Sequence, residues 1–311
     1  MTGARDKTVV HDPKTRLARL LRRARLACQR FFTDLHCEER YGWVERLSLP
    51  DIHTLWIGPR LTWLERLSLC SWLEHGHHVI LWCYESIEGV PAGVQLADAE
   101  AILPKSSVIR HRESGSVTLF SDRFRLHLLQ RRRATWLDAD MLLLRPLYST
   151  SPHLFGWENP SSISNAVMRL PSGSPVLKDL TRLTDAAVPI PGWWLPKERL
   201  RQRLKGLIGL HERREDMDWG SFGPRALTYY LKRRNLADFA LPIEAFYPIP
   251  WNDFLLFFAS PDAISPRLTD RSIGVHLWSS SCIQERKDKP PPANSWFALM
   301  CERYAISASF C

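Results

Sequence analysis

The chain has 311 residues, a formal net charge of +9, 45% hydrophobic residues and thirteen Trp. That supports one large α/β domain or two small ones around a real core, with the Trp filling that core and furnishing some stacking or sugar-contacting surfaces. No apolar run reaches the roughly 18–20 residues of a membrane span, and seven cysteines without a Cys-x-x-Cys exclude a zinc ribbon or a disulfide framework.

The N-terminal stretch lacks an apolar signal-peptide core, so a reducing cytoplasmic location is expected. Residues 1–13 read as frayed. Residues 1–50 hold eleven Lys/Arg against six Asp/Glu, and Lys14 to Phe32 holds seven basic residues and no acidic one. Leu17, Leu20, Leu21, Ala24, Cys28 and Phe31 recur there at helical spacing. This predicts a basic amphipathic helix, with two readings open. One is peripheral contact with an anionic membrane at its inner face; the other is a helix packed on the domain with a solvated Arg face. The organisation expected is a basic extension over 1–50, a catalytic-type domain over 51–285 and a charged, Pro-rich tail over 286–311.

Ile52–Ile57 reads as a strand stopped by Gly58-Pro59. A helix is expected from Leu61 to Glu74, ended by Gly76, and then a buried strand from His78 to Tyr84. Strand, helix and strand within about 30 residues form a βαβ unit and argue for a parallel sheet. A short strand is expected near Ala101–Leu103. Ser121 suits a helix N-cap and Asp122 a first turn. Asp122, Arg125, Leu126 and Leu129 then share one helix face.

That helix feeds Thr135–Leu144, an apolar run broken by Asp138 and Asp140. Carboxylates are costly to bury unless paired or metal-bound. An Asp-x-Asp at a strand end aims both side chains to one face, and two hard oxygen ligands suit Mg²⁺ or Mn²⁺ beside a diphosphate. An acid, a guanidinium and a metal site thus converge. Residues 151–215 look less regular and suit an acceptor side. Trp193-Trp194 lies there, and Asp216 and Asp218 beside Trp219 are further carboxylates, although that stretch also reads as a solvated charge run. A helical run follows Gly223-Pro224, and Ile273–Trp278 reads as a late strand with His276 as either a core histidine or a ligand.

In order, Ile52–Gly58, Ser121-Asp122-x-x-Arg125-x-x-x-Leu129, Trp136-Leu137-Asp138-Ala139-Asp140, Gly223-Pro224 and Val275-His276-Leu277-Trp278 resemble glycosyltransferase family 32, the Asp-x-Asp sugar-binding group of α-1,4-galactosyltransferases and capsular polysaccharide transferases. The likeness spans about residues 50–285 and extends, more distantly, to the clostridial glucosylating toxins. It implies a GT-A type nucleotide-diphospho-sugar transferase fold, an α/β architecture with a single Rossmann-like mixed sheet flanked by helices. It also implies retaining transfer from a nucleotide-sugar donor, a UDP-sugar by preference, to a polysaccharide or glycolipid acceptor, with Mn²⁺ or Mg²⁺. By position, Trp56 would approach the nucleobase, Asp122 and Arg125 the ribose and donor sugar, Asp138 the ribose, sugar or metal-bound water, Asp140 the metal, and His276 the metal or diphosphate. Asp138, Asp140, Arg125 and Asp218 are the catalytic candidates.

Two departures stand out. The family carries Gly-Gly between helix and strand, where this chain has Arg132-Arg133-Ala134, so a non-glycine residue in a strained turn is expected. Ser279-Ser280-Ser281 follows the late strand where Asn or another polar residue is common. An inactive homologue serving as a membrane-surface scaffold is therefore the competing reading. A nucleic-acid module is disfavoured, because the positive charge concentrates at the N-terminus, away from the aromatic residues.

Overall fold

The computed structural model describes residues 49–218, 220–279 and 289–306. The predicted basic helix, Trp219, Ser280 and Ser281 lie outside them. Among the described residues, no helix is long and apolar enough to cross a membrane, and Cys70, Cys83 and Cys301 are free thiols.

The predicted βαβ unit is present. Strand β1 (Ile52–Leu55) leads to helix α1 (Trp63–Glu74) and strand β2 (Val79–Cys83). Glu65 accepts the Thr62 amide at 2.9 Å at the start of α1, and Gly76, at φ +81°, follows its end. Strand β3 (Gln95–Asp98) comes next, where no strand was expected. It is an exposed edge strand with no apolar run to announce it. At Ala101–Leu103 there is no strand, because the Asp98 carboxylate accepts the Glu100 amide at 2.9 Å and starts a 3₁₀ turn over Ala99–Ala101.

Helix α2 spans Thr118–Arg131 and starts three residues before the expected Ser121 cap. Ser116 Oγ takes the Thr118 amide at 3.2 Å and supplies the side-chain acceptor instead. The helix exits through Arg132 in extended backbone (φ −135°). The strained turn expected there is absent: none of Arg132, Arg133 or Ala134 has a positive φ. The Arg132 guanidinium instead lies 5.3 Å over the Trp82 ring.

Strand β4 (Thr135–Leu137) is short, and Asp138-Ala139-Asp140 forms a turn rather than a strand end. Met141 N–H donates to the Asp138 carbonyl across it at 2.9 Å. Strand β5 (Met141–Leu143) then leaves the main sheet. Residues 151–215 are more regular than expected. They hold the antiparallel pair β6 (Leu154–Asn159) and β7 (Ser162–Arg169) and helices α3 (Pro175–Asp185) and α4 (Pro196–Leu207). The polar Ser162, Ser164 and Asn165 hid β7, yet Ser164 and Asn165 are buried. Helices α5 (Pro224–Arg233), α6 (Pro261–Ile264) and α7 (Trp296–Arg303) and strand β8 (Gly274–His276) follow among the described residues.

The main sheet has six strands in the order β3-β2-β1-β4-β7-β6. The first four run parallel, β7 pairs antiparallel with β4, and β6 pairs antiparallel with β7. Side chains alternate faces along each strand. Val79 and Leu81 enter one core with Trp63, Leu67 and Phe297; Ile80 and Trp82 enter the other with Phe124, Leu180 and Leu227. Helices thus cover both faces, the expected mixed α/β architecture. A second ladder pairs β5 with β8, with Met141 opposite His276.

Neutral histidines tie the sheet's N-terminal side together. The buried His77 donates through Nδ1–H to the Pro50 carbonyl (3.0 Å) and accepts the Leu147 amide at Nε2 (3.0 Å). Trp82 Nε1–H donates to His53 Nδ1 at 3.1 Å, which requires an unprotonated nitrogen. Burial lowers His53 and His75 to about 4 and also lowers His77. A histidine depressed on folding adds stability above its ordinary value near 6.5 and loses it as pH falls towards the folded value. The melting temperature should therefore fall steadily between pH 7 and about pH 4.5 in a thermal-unfolding series. His77→Ala should cost about 1–3 kcal/mol at pH 7 in urea unfolding, because it strands a buried Leu147 amide.

Candidate active site

The sheet's C-terminal edge opens into a cleft of about 520 Å³. Its wall is built by β1, α2, the Asp138–Asp140 turn, β6, β7, the start of α5 and the end of β8. Trp56, Asp122, Arg125, Asp138, Asp140 and His276 all line it. Residues separated by more than 200 positions are therefore brought together as the motif order implied. Asp218 is not among the lining residues: it is exposed, two positions before Gly220, which does line the cleft. Asp216 is drawn away into an ion pair with Arg112.

A buried charge cluster forms the floor. Arg125, 2% exposed, reaches Asp122 Oδ1 at 3.3 Å and Asp138 Oδ1 at 3.0 Å. Its Nη1 also donates to the Asn165 carbonyl at 2.7 Å, its Nη2 to Ser121 Oγ at 3.2 Å, and its Nε to the Ser121 carbonyl at 3.3 Å. The guanidinium lies 4.8 Å over the Trp136 ring, whose Nε1–H donates to Asp138 Oδ1 at 2.7 Å. The sequence reading gave Arg125 a fork for sugar or phosphate. In the structure its donors are taken up by the protein, so it positions two carboxylates. Burial pushes the Asp122 carboxyl up to about 6, against the pull of Arg125 and of Asn165, which donates to it at 2.7 Å.

Asp140 is the second knot. Its Oδ2 accepts the Ser279 amide at 2.9 Å, its Oδ1 lies 3.3 Å from His276 Nε2, and its carbonyl accepts the Leu277 amide at 2.8 Å. Burial would raise this carboxyl, but His276 and the Ser279 groups hold it well below the usual carboxylate range. Burial likewise works against the His276 imidazolium, and Asp140 more than offsets it, so His276 lies above its ordinary value. His276 Nδ1 is buried with no hydrogen-bond partner. One ligand atom from each of Asp138, Asp140 and His276 lies within 4.8 Å of the others. Two carboxylates and an imidazole are a fitting donor set for Mn²⁺.

Glu158, Asn165 and Trp251 escaped the sequence reading. Glu158, half-buried on β6, has its carboxyl pushed up by burial, with His276, Ser164 and Asn159 pulling it back. A carboxylate between Trp157 and Asn159 was a signal available in the sequence. Asn165 clamps Asp122, and Gly223 backs onto the pair: a Cβ there would meet Asp122 Oδ2 at 3.0 Å and Asn165 Oδ1 at 3.1 Å. Trp251 stands 54% exposed at the cleft. Trp56 is half-buried at the rim, with its Nε1 donating to the Arg60 carbonyl at 3.0 Å.

Trp278 is in the left-handed region (φ +56°), a strained conformation for a bulky residue. It is held by Nε1–H donation to the Ile249 carbonyl at 2.9 Å and by an edge contact with the His276 ring at 4.2 Å.

Comparison with known proteins adds to this geometry. Residues 210–307 match the model of the α-1,4-glycosyltransferase conserved region. That segment carries Gly223, His276, Trp278 and Ser279. Over that segment the chain is similar to the α-1,4-glycosyltransferases. Lactosylceramide 4-alpha-galactosyltransferase of Mus musculus is 25% identical over 64% of this chain and 52% of its own length. The protein of the same name from Pongo pygmaeus is 40% identical over 20% of this chain and 34% of its own, and that from Homo sapiens 39% over 20% and 21%. The alignments thus span about half or less of the curated relatives' length. Among solved structures, the PaToxG Glycosyltransferase superposes with a TM-score of 0.39 at 13% identity, over 70% of this chain and 80% of that one.

Arg125 should behave as the counter-charge of the floor. Arg125→Met leaves Asp122 and Asp138 uncompensated and should cost about 3–5 kcal/mol in urea unfolding. Adding Asp122→Asn should recover part of that loss, a non-additivity that a double-mutant cycle measures.

Proposed function

We propose that this protein transfers a sugar from a nucleotide-diphospho-sugar, a UDP-sugar by preference, to a hydroxyl of a glycolipid or polysaccharide, with a divalent cation and with retention of configuration. The observation that carries the reading is the convergence of Asp138, Asp140 and His276 in one open cleft. The relatives' printed name points to an α-galactosyl donor and a lactosylceramide-type acceptor.

Asp138, Asp140 and His276 would hold the Mn²⁺ or Mg²⁺. When bound, that ion stabilises the charge of the departing diphosphate as a Lewis acid. The chain's own groups do the rest by positioning. The floor of Arg125, Asn165 and Gly223 fixes Asp122 towards the donor sugar. Trp56 at the rim offers a stacking face for the base, and Trp251 an exposed platform for a sugar. The acceptor oxygen bonds to the anomeric carbon as the bond to the diphosphate oxygen breaks. The acceptor proton leaves to the departing phosphate or to Glu158, whose raised carboxyl suits proton exchange.

The scaffold reading rested on the missing Gly-Gly. Arg132 passes that point in relaxed backbone, so the departure leaves the site intact and the scaffold is disfavoured.

The test is Mn²⁺-dependent hydrolysis of a panel of UDP- and GDP-sugars. One donor should be turned over, EDTA should abolish turnover, and Asp140→Ala should lower it by at least ~10²-fold. Absence of turnover and of binding for every donor with either cation would overturn the reading.

A further inference from the structure

Helix α4 is the anomaly of this surface. Leu200, Leu204 and Leu207 stand 55%, 55% and 83% exposed, and the next turn adds Ile208 at 69% and Leu210 at 68%. Single exposed leucines are ordinary; a contiguous apolar stripe marks an interaction surface. At i, i+4 and i+7 the three leucines share one helix face. The opposite face is the one that packs. Gln202 is buried, with its Nε2 donating to the Pro189 and Glu212 carbonyls at 3.2 and 2.8 Å and its Oε1 accepting the Glu212 amide at 3.1 Å. Gly206 abuts Val188, where a Cβ would meet the side chain at 3.0 Å. The helix is therefore pinned by its polar inner face and presents leucine outward.

The flanks of that stripe are basic. With 100° per residue, Lys197 and Arg201 border the leucines on one side and Arg203 on the other. All three are exposed, and they enter no ion pair among the described residues. Cations on both flanks of a protruding leucine ridge complement a plane with negative headgroups above hydrocarbon. A second copy would bring the same cations against each other, and an apolar partner groove would leave them unanswered. The segment leading into the helix packs against α5, whose first residue lines the cleft. Trp193, just before α4, packs edge-on to Tyr229 at 5.7 Å, Arg225 lies 5.3 Å over the Trp193 ring, and Pro224 at the start of α5 lines the cleft.

We infer that α4 is a bilayer-docking helix that seats the protein on anionic phospholipid, with Leu200, Leu204 and Leu207 entering the headgroup boundary. This concerns a surface distinct from the catalytic groups and stands whether or not the transferase reading does. If the acceptor is a glycolipid, the docked helix sets the cleft mouth near the plane where that acceptor lies.

The test is hydrogen exchange of the full chain, read by mass spectrometry, with phosphatidylcholine vesicles and with vesicles that also contain phosphatidylserine. Exchange over residues 196–210 should slow with the anionic vesicles. In co-sedimentation, Leu200→Ser/Leu204→Ser/Leu207→Ser should weaken binding at least ~tenfold, and Arg201→Glu/Arg203→Glu should weaken it in a salt-dependent way. An unchanged circular dichroism melt shows that both variants are folded. Vesicle binding with no change over 196–210 would assign the attachment elsewhere, as to the Lys14–Phe32 segment, and overturn the inference. Absence of vesicle binding, or a dimer in solution that the leucine variant dissociates, would overturn it too. Donor hydrolysis is read separately, so failure of one proposal leaves the other standing.

Discussion

Asp140 is the residue through which the two ends of this fold meet. Its backbone carbonyl extends the β5–β8 ladder by accepting the Leu277 amide, while its side chain takes the Ser279 amide and faces His276. The main sheet supplies Asp138 and Asp140 from the turn after β4. The small ladder returns the C-terminal segment so that His276 lies opposite Met141. Without that pairing the imidazole would have no reason to stand beside the two carboxylates. A backbone hydrogen-bond register thus fixes the cluster, a more rigid device than a loop carrying the same side chains.

Placing three ionisable groups in one floor has a cost that the surrounding residues distribute. Asp122 is nearly inaccessible and its carboxyl is raised to about 6 by burial, even with Arg125 and Asn165 against it. Buried charges persist when every lone pair and donor is met. Arg125 satisfies both carboxylates, two backbone carbonyls and a hydroxyl at once. The apolar wall behind it, with Trp136 and Phe124, keeps water away and so keeps these contacts strong. The left-handed Trp278 belongs to the same arrangement. Its strain turns the chain so that the next amide, that of Ser279, reaches Asp140.

Legibility in the sequence followed locality. The β1–α1–β2 unit announced itself through continuous apolar runs and turn residues, and the Asp-x-Asp through the contrast of two acids with such a run. The edge strand β3 and the polar-looking β7 were hidden, because an edge buries little and because Ser164 and Asn165 are buried for hydrogen bonding rather than for packing. The start of α2 was misplaced because Ser116, two residues outside the helix, outcompeted the better-looking Ser121. Asp122, Arg125 and Asp138 were legible as a set, but the role of Arg125 was not. Whether a guanidinium is free or fully engaged depends on groups such as the Asn165 carbonyl, forty residues away. Glu158 and Asn165 were missed for the same reason, since their importance lies in what they face.

The cleft's asymmetry follows from these supports. Its Asp122–Arg125–Asp138 floor is held by α2, β4 and β7, elements with buried ladders and helices on both faces. The opposite rim carries Trp251 in a 3₁₀ stretch, Trp56 in the Gly58-Pro59 bend and Gly220 at φ +75°. Buried, paired groups therefore face the place where charge is handled, and more exposed aromatic surfaces line the rim. Such a division suits a reaction whose demand on the protein is fixed electrostatics at one end and tolerance of a bulky, sugar-bearing partner at the other. It also locates where specificity would be tuned. Changes at the floor strand a buried charge and unfold the site, whereas changes at Trp56 or Trp251 alter only what can be stacked there, so divergence in substrate within this architecture is confined by energetics to the rim.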